Sequence, residues 1–352
     1  MKVLEGVALA HDDVHLVPQF SQIKSRSDID TSVVLKRTDV RLKLPILASP
    51  MDSVSGPEMA VGLGKLGGMA ILHRYCDIGT QAGWVAEVVK TGVLVGAAVG
   101  VSGDALERAE AVVKAGATLV CVDVAHGHSK MMRETLRVLR ERFPKLHLMA
   151  GNVGSADAAY DLAKWGADSV RVGVGSGSCC STRMQTGHGY PLFQNLVDIT
   201  EAASNVGSNF GLLETQIIAD GGHRIGGDIC KSLGAGAHLV MLGSMLAGTD
   251  EAPGEIIERD GKKFKTYRGM ASKESQLEWR GFFSSDEGIS VEIPYKGSVQ
   301  AQVETIRRNI IGGMGYSGAE NLQLFRYKAT FKQVSHASSI EATTHILGVA
   351  NG

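Results

Sequence analysis

Short, unbroken apolar runs recur along the chain at residues 45–51, 69–72, 93–101, 119–124, 147–150, 169–174, 216–219 and 238–242. They are continuous rather than alternating, which is the pattern of parallel strands buried on both faces. Between them the apolar period becomes helical: Met132, Leu136, Leu139 and Phe143 recur at steps of four, three and four and share one face. Three helical stretches end alike, in Lys114-Ala-Gly-Ala, Lys164-Trp-Gly-Ala and Ser232-Leu-Gly-Ala. In each the glycine is expected to take the left-handed cap, with the next strand beginning at once. Eight strands with interleaved helices predict an α/β fold, a single-domain (β/α)8 barrel over residues 1–352. An open dinucleotide-binding sheet would show G-x-G-x-x-G after its first strand, and Ser49-Pro-Met-Asp-Ser-Val-Ser-Gly56 does not fit it. One excursion follows the eighth run. Residues 255–267 read as a hairpin around Asp260-Gly261, residues 268–294 show little periodicity, and a helix resumes over 298–311. Residues 255–297 therefore read as a hairpin and short flap on the strand C-terminal side, where barrel enzymes work. Residues 332–352 read as a C-terminal tail, partly disordered, of small and polar residues.

Composition narrows the function. Lys and Arg total 36 against 37 Asp and Glu, a formal net charge of −1, which lacks the basic excess of a nucleic-acid binder. Glycine contributes 44 of 352 residues with only 8 prolines, pointing to tight turns and backbone approaching a ligand closely. The five cysteines, Cys76, Cys121, Cys179, Cys180 and Cys230, are odd in number and form no C-x-x-C, so neither a disulfide framework nor a Cys-rich zinc site is expected. No cleavable leader is evident and no apolar run reaches the ~18 residues of a membrane span. A cytoplasmic protein with no membrane or nucleic-acid partner is expected.

Polar residues cluster where the apolar runs end: Asp52, Arg74, Asp123, His126, Asn152, Cys180, Asp220 and Ser244. Capping or turn chemistry accounts for any one of them, but a barrel places all of them on a common rim. The strongest local signal is Gly173-Val-Gly-Ser-Gly-Ser-Cys-Cys-Ser-Thr-Arg, a glycine-rich turn that leaves a strand and presents a thiol. Such turns aim backbone N–H or C=O groups at an ion, and a cysteine held there can serve as a nucleophile. These residues alone separate Cys180 from Cys179 only weakly. Two more turns, Ala219-Asp-Gly-Gly-His and Met241-Leu-Gly-Ser-Met, follow the seventh and eighth runs, whose loops in barrel enzymes frequently bind phosphate. A phosphate site, a carboxylate for ribose hydroxyls and a nucleophile on adjacent loops suggest a nucleotide substrate.

The chain resembles the IMP dehydrogenase and GMP reductase family. The resemblance runs from His11-Asp-Asp-Val-His-Leu-Val-Pro18 to about Phe331. Its motifs are Ala48-Ser-Pro-Met-Asp52, Gly175-Ser-Gly-Ser-Cys-Cys-Ser-Thr182, Ala219-Asp-Gly-Gly222, Met241-Leu-Gly-Ser244, Tyr267-Arg-Gly-Met270, Glu287-Gly and Pro294-Tyr-Lys-Gly297. The resemblance implies a (β/α)8 barrel assembled as a homotetramer, and it implies roles. Cys180 would be the attacking thiolate, with Thr182 and Glu287 as its catalytic partners. Ser178, Gly222, Gly243, Ser244 and Tyr267 would hold the 5′-phosphate, Asp220 the ribose, and Met270 and Ala271 the base. Ser49, Asp123 and Asn152 would face the nicotinamide of NADPH. The carbonyls of Gly175, Gly177 and Cys180 would form a potassium site.

Within the family the reductase branch, acting on GMP, is the expectation. Only nineteen positions separate Arg74 from Val93, too few for the paired CBS modules typical of dehydrogenases. Only fourteen residues, 273–286, precede Glu287, and Arg280 is followed by Gly281 rather than tyrosine. Thr182-Arg-Met-Gln-Thr-Gly-His-Gly-Tyr-Pro191 and Ile257-Glu-Arg-Asp-Gly-Lys-Lys263 are also reductase-like. Ser49-Pro50, His126 and Arg268 are dehydrogenase-like, so an IMP dehydrogenase without CBS modules, a member acting on a modified purine nucleotide, and a non-catalytic nucleotide sensor are the alternatives.

Overall fold

The computed structural model describes residue 3, residues 5–204 and residues 214–343. Eight parallel strands close into a barrel: β1 (Ile46–Ala48), β2 (Met69–Leu72), β3 (Val95–Val99), β4 (Leu119–Asp123), β5 (His147–Val153), β6 (Ser169–Val172), β7 (Gln216–Asp220) and β8 (Leu239–Leu242), with β8 pairing back onto β1. All eight apolar runs are barrel strands. Outside them lie α1 (Pro57–Lys65), α2 (Ile78–Lys90), α3 (Ala105–Lys114), α4 (Lys130–Arg142), α5 (Ala156–Lys164), α6 (Leu192–Ser204), α7 (Gly226–Gly234) and α8 (Val299–Tyr316).

The burial pattern explains the continuous runs. Leu47, Met69, Ile71, Ala98, Leu119, Cys121, Met149, Ile218, Leu239 and Met241 fill the barrel interior, while their sequence neighbours Ile46, Ala48, Ala70, Val120, Val170 and Val240 pack outward against the helices. Both faces are apolar because both are covered. A small antiparallel pair, Val33–Val34 with Arg41–Leu42, closes the N-terminal end, and Leu35 and Leu42 join the interior cluster there. Asp168, only 1% exposed, binds Arg37 Nε at 2.7 Å and Arg140 Nη2 at 2.5 Å, and Gln216 donates to Val34 O at 2.9 Å. This end is sealed, so a ligand enters from the other.

Two helix ends carry the expected left-handed glycine, Gly116 (φ 105°) and Gly166 (φ 112°). At the third the cap falls two residues later than expected. α7 continues through Gly234, and Gly236 (φ 114°) makes the turn.

The excursion after β8 forms a three-stranded antiparallel sheet, Ile257–Arg259, Lys262–Arg268 and Ser290–Pro294. Asp260 and Gly261 both take positive φ (50° and 70°), as a two-residue hairpin turn requires. A helix, Lys273–Arg280, lies between its last two strands and was not legible in the aperiodic stretch. Near the C-terminus Phe331–Gln333 pairs with Val14–Leu16, and His336–Glu341 is helical; residues 344–352 of the expected tail lie outside the described residues. Among the described residues no helix is long and apolar enough to cross a membrane.

Five histidines make stability depend on pH. Burial lowers His147, pushes His11 and His73 down to about 4, and pushes His223 and His238 down to about 3. The unfolded chain takes up these protons below pH ~6.5. The folded protein takes them up only near its lowered values, so their contribution is complete above about pH 6.5 and is lost as pH falls toward 4 and then 3. Urea unfolding at pH 5 is therefore expected to give a lower free energy than at pH 7, by on the order of 1 kcal/mol or more for each of His11, His73, His223 and His238. Equal values at the two pHs would contradict this.

Candidate active site

The C-terminal ends of the strands surround one cavity of about 280 Å³. β1 supplies Ser49, β2 Arg74 and Tyr75, β4 Asp123, β5 Asn152, and β6 the loop from Gly173 to Thr182. β7 supplies Asp220 to His223, β8 supplies Gly243 and Ser244, and the inserted sheet supplies Tyr267, Met270, Ala271 and Glu287. Every site residue expected from the sequence lines this cavity, including Gly175, Gly177, Ser178 and Cys180. Of the rim residues, Asp52 and His126 do not.

The β6 loop presents its two thiols differently. Cys179 is 3% exposed, lies 3.9 Å from the Tyr267 carbonyl, and burial pushes its thiol up to about 11. Burial likewise raises Cys121 and Cys230 to about 12 and Cys76 to about 11. Cys180 is half-buried at the cavity, with Sγ 3.1 Å from Thr182 Oγ1. Thr182 in turn donates to Glu287 Oε2 at 2.7 Å, and Ser285 Oγ donates to Glu287 Oε1 at 3.1 Å. A thiol, a hydroxyl and a carboxylate thus form one chain of proton-bearing groups. Both thiols border the cavity, but Cys179 is almost wholly buried, while Cys180 joins the hydroxyl–carboxylate chain.

Gly288 fastens this chain to the cover. It bridges both Cys180 and Ser272, while Ser181 N donates to Glu287 O and Ile289 N to Cys179 O, each at 3.0 Å. A Cβ on Gly288 would meet Ser272 N at 2.7 Å, so only glycine permits the crossing.

At the opposite end, Ser178 Oγ lies 3.2 Å from Tyr267 Oη. A Cβ on Gly243 would come within 2.8 Å of that same oxygen. Lys296 donates to the Ser244 carbonyl and fixes the β8 loop. Two hydroxyls and glycine backbone meet at this end of the cavity, donors of the kind that suit a phosphate. Burial raises the Tyr267 phenol, so it remains a proton donor.

The floor holds a residue that the sequence reading missed. Arg171 in β6 is 4% exposed and spans two carboxylates, donating to Asp123 Oδ1 at 2.5 Å and Asp220 Oδ2 at 2.7 Å. Asn152 Nδ2 also donates to Asp220 Oδ2, at 2.7 Å. The signal for Arg171 was a lone cation inside an apolar run, Ser169-Val-Arg-Val. Among the described residues, Asn152 Oδ1 is buried without a partner. An unused acceptor beside the cavity suits a ligand amide, so Asn152 with Ser49 and Asp123 fits a nicotinamide carboxamide.

Residues matching the IMP dehydrogenase / GMP reductase domain span 8–345. The chain belongs to that family. Its members are oxidoreductases that use a nicotinamide cofactor. Human GMP reductase 2 is 35% identical over 337 residues, covering 94% of this chain and 95% of that protein. Inosine-5′-monophosphate dehydrogenase of Bacillus subtilis is 41% identical over 261 residues, 72% of this chain and 52% of the relative. The crystal structure of a cysteine-to-alanine variant of Trypanosoma brucei GMP reductase in complex with guanosine 5′-monophosphate superposes with a TM-score of 0.90 at 29% identity, covering 98% of this chain and 99% of that one.

In this family member the cover is latched to the barrel. Arg268 donates to Asp52 Oδ2 at 2.8 Å and pairs with Glu278 at 2.7 Å, Ser275 Oγ donates to Asp52 at 2.9 Å, and Trp279 stacks on Tyr75 with ring centroids 5.7 Å apart. Arg268 and Asp52 are half-buried, so losing one costs the charged hydrogen bonds of the other but leaves it within reach of water. Arg268→Met is expected to destabilise the protein by about 1–2 kcal/mol in urea unfolding and to make the cover helix, Lys273–Arg280, the first site of limited proteolysis. Unchanged stability and cleavage would rule the latch out.

Proposed function

We propose that the protein is a GMP reductase, converting GMP to IMP and ammonia with NADPH. The Cys180–Thr182–Glu287 chain beneath a short cover supports this reading most strongly. Arg280, the one arginine of residues 273–286, turns back into the cover: it donates to Phe282 O at 3.2 Å, to Ser284 Oγ at 2.7 Å and to Gln276 Oε1. It does not line the cavity. A dehydrogenase must bring water to its covalent adduct, and no cationic group of the cover is aimed at the thiol to assist that. The missing CBS-sized insertion discriminates less. Alignments of 481 and 482 residues, longer than this 352-residue chain, occur for an IMP dehydrogenase of Nitrosopumilus maritimus and a GMP reductase of Leishmania major alike.

The GMP phosphate is assigned to Ser178, Gly222, Gly243, Ser244 and Tyr267, its ribose hydroxyls to Asp220, and its base to Met270, Ala271 and Glu287. Cys180 adds as thiolate to C2 of the purine, forming a C–S bond. Thr182, backed by Glu287, delivers a proton to the exocyclic amine, which departs as ammonia because neutral ammonia leaves better than amide ion. A thioimidate remains on Cys180. Ser49, Asp123 and Asn152 would hold NADPH, which would supply the hydride for C2. Cys180 is then expelled as thiolate and IMP is released. The carbonyl oxygens of Gly175, Gly177 and Cys180 are hard, neutral donors of the kind that suit potassium, and a cation there would hold the loop. Among the described residues there is no His/Cys/Asp/Glu cluster for a metal ion.

The second reading, an IMP dehydrogenase, draws on the higher local identity to the Bacillus subtilis enzyme and on Ser49-Pro50 and Arg268. Incubation with GMP and NADPH, and separately with IMP and NAD, distinguishes the two. Loss of nicotinamide absorbance with equimolar ammonia in the first mixture is expected. Absorbance gained in the second mixture, with none lost in the first, would overturn the assignment.

A further inference from the structure

We propose that Arg171 is the positioning residue that couples nucleotide binding to cofactor binding. The inference rests on the reductase reading in assigning Asp220 to the ribose and Asp123 to the nicotinamide side. These carboxylates sit at the ends of β7 and β4, on opposite sides of β6, and β5 and β6 lie between them in the barrel. Val170 and Val172 pack outward, so Arg171 between them points into the barrel, where its two terminal nitrogens each take one carboxylate. Asn152 completes the set by donating to both Gly173 O, at 2.9 Å, and Asp220.

A guanidinium is planar and rigid, and its donors keep fixed directions. A carboxylate held by one arm therefore constrains the carboxylate on the other. Burial works against the charge of Arg171, but Asp220 and Asp123 outweigh it and hold the guanidinium protonated. Arg171 Nε is buried and has no partner among the described residues, so the side chain is tied down only through these two acids and a 3.4 Å contact with Cys121 Sγ. When ribose hydroxyls order Asp220, the fork is ordered with it, and Asp123 no longer has to be fixed when the second ligand arrives. Each ligand thereby lowers the ordering cost for the other, and the effect on the two affinities is equal by linkage.

The test is calorimetric titration of GMP with and without NADP⁺, which supplies no hydride, in excess ammonium so that displacement of ammonia by Cys180 is held back. In the wild type, saturating NADP⁺ is expected to tighten GMP binding at least about fivefold, and GMP to tighten NADP⁺ by the same factor. Arg171→Lys keeps a cation in the barrel but replaces the fork with a point charge, and its coupling factor is expected to fall to about one. Asp123→Asn removes one arm, leaves Arg171 on Asp220, and guards against misfolding of the lysine variant. It should bind GMP alone within about threefold of wild type. Because Asp123 is itself assigned to the cofactor side, NADP⁺ is raised until the variant's own titration shows saturation, and GMP binding is then expected to show no tightening. Coupling retained in either folded variant, or wild type that binds both ligands independently, overturns the role of Arg171 and leaves the reductase reading standing. Wild type that binds neither ligand overturns both.

Discussion

Cys180→Ala should abolish turnover while GMP still binds. In the proposed mechanism this side chain supplies the bond on which every later step depends, and removing a covalent nucleophile typically leaves residual rates about 10⁴- to 10⁶-fold below wild type. In the proposed reading, binding is carried elsewhere, with the phosphate assigned to Ser178, Gly243 and Tyr267 and the ribose to Asp220, all of which line the cavity. GMP affinity measured by calorimetry should thus stay within a few-fold, while NADPH oxidation disappears. Cys179→Ala is the matching control, because that thiol is buried behind the loop with its proton held. It should retain most of the activity. Turnover surviving in Cys180→Ala, or lost equally in both variants, would remove the covalent step.

Glu287→Gln carries the second large effect. The amide keeps the shape of the side chain and can still accept from Thr182, but it no longer supports proton delivery through the 2.7 Å contact. General acid catalysis is typically worth 10²- to 10⁴-fold, and that loss should fall on loss of ammonia. Hydride transfer needs no proton from this pair. With deuterated NADPH, the isotope effect on turnover should therefore shrink toward one in the variant, since deamination becomes limiting. An isotope effect as large as, or larger than, that of the wild type would place Glu287 in the hydride step instead.

The barrel was legible because every strand is buried on both faces and shows it as an unbroken apolar run. The cover was not. Only Ser275 and Gln276 of the helix Lys273–Arg280 are buried, both polar, so no apolar period marks it. The strand Ser290–Pro294 is half-buried to exposed at the edge of its small sheet, and Val291 and Ile293 alone break its polar run. The site was visible as glycine-rich turns at the ends of runs, while the roles expected within it came from the family resemblance. Two things required three dimensions. The choice between adjacent thiols depends on which one joins the hydroxyl–carboxylate chain. The role of Arg171 depends on carboxylates 48 and 49 positions away. A charged residue in a buried strand nonetheless announces itself, because an unpaired cation there would be prohibitively costly.

The knot at Gly288 has a consequence for how such a fold can change its chemistry. Thiol and carboxylate are registered to each other through Gly288, Ser272 and the backbone on either side, and not through the helix between them. Residues 273–286 form a closed loop hung from two fixed posts. Loop-closure entropy grows only slowly with length, so this loop can be exchanged for a longer one while the reacting atoms stay in place. Under the proposed mechanism, such an exchange would alter the fate of a sulfur-bound purine, captured by hydride or by solvent. The outcome would then be written in a segment that can be spliced, and the bond-making step in one that cannot.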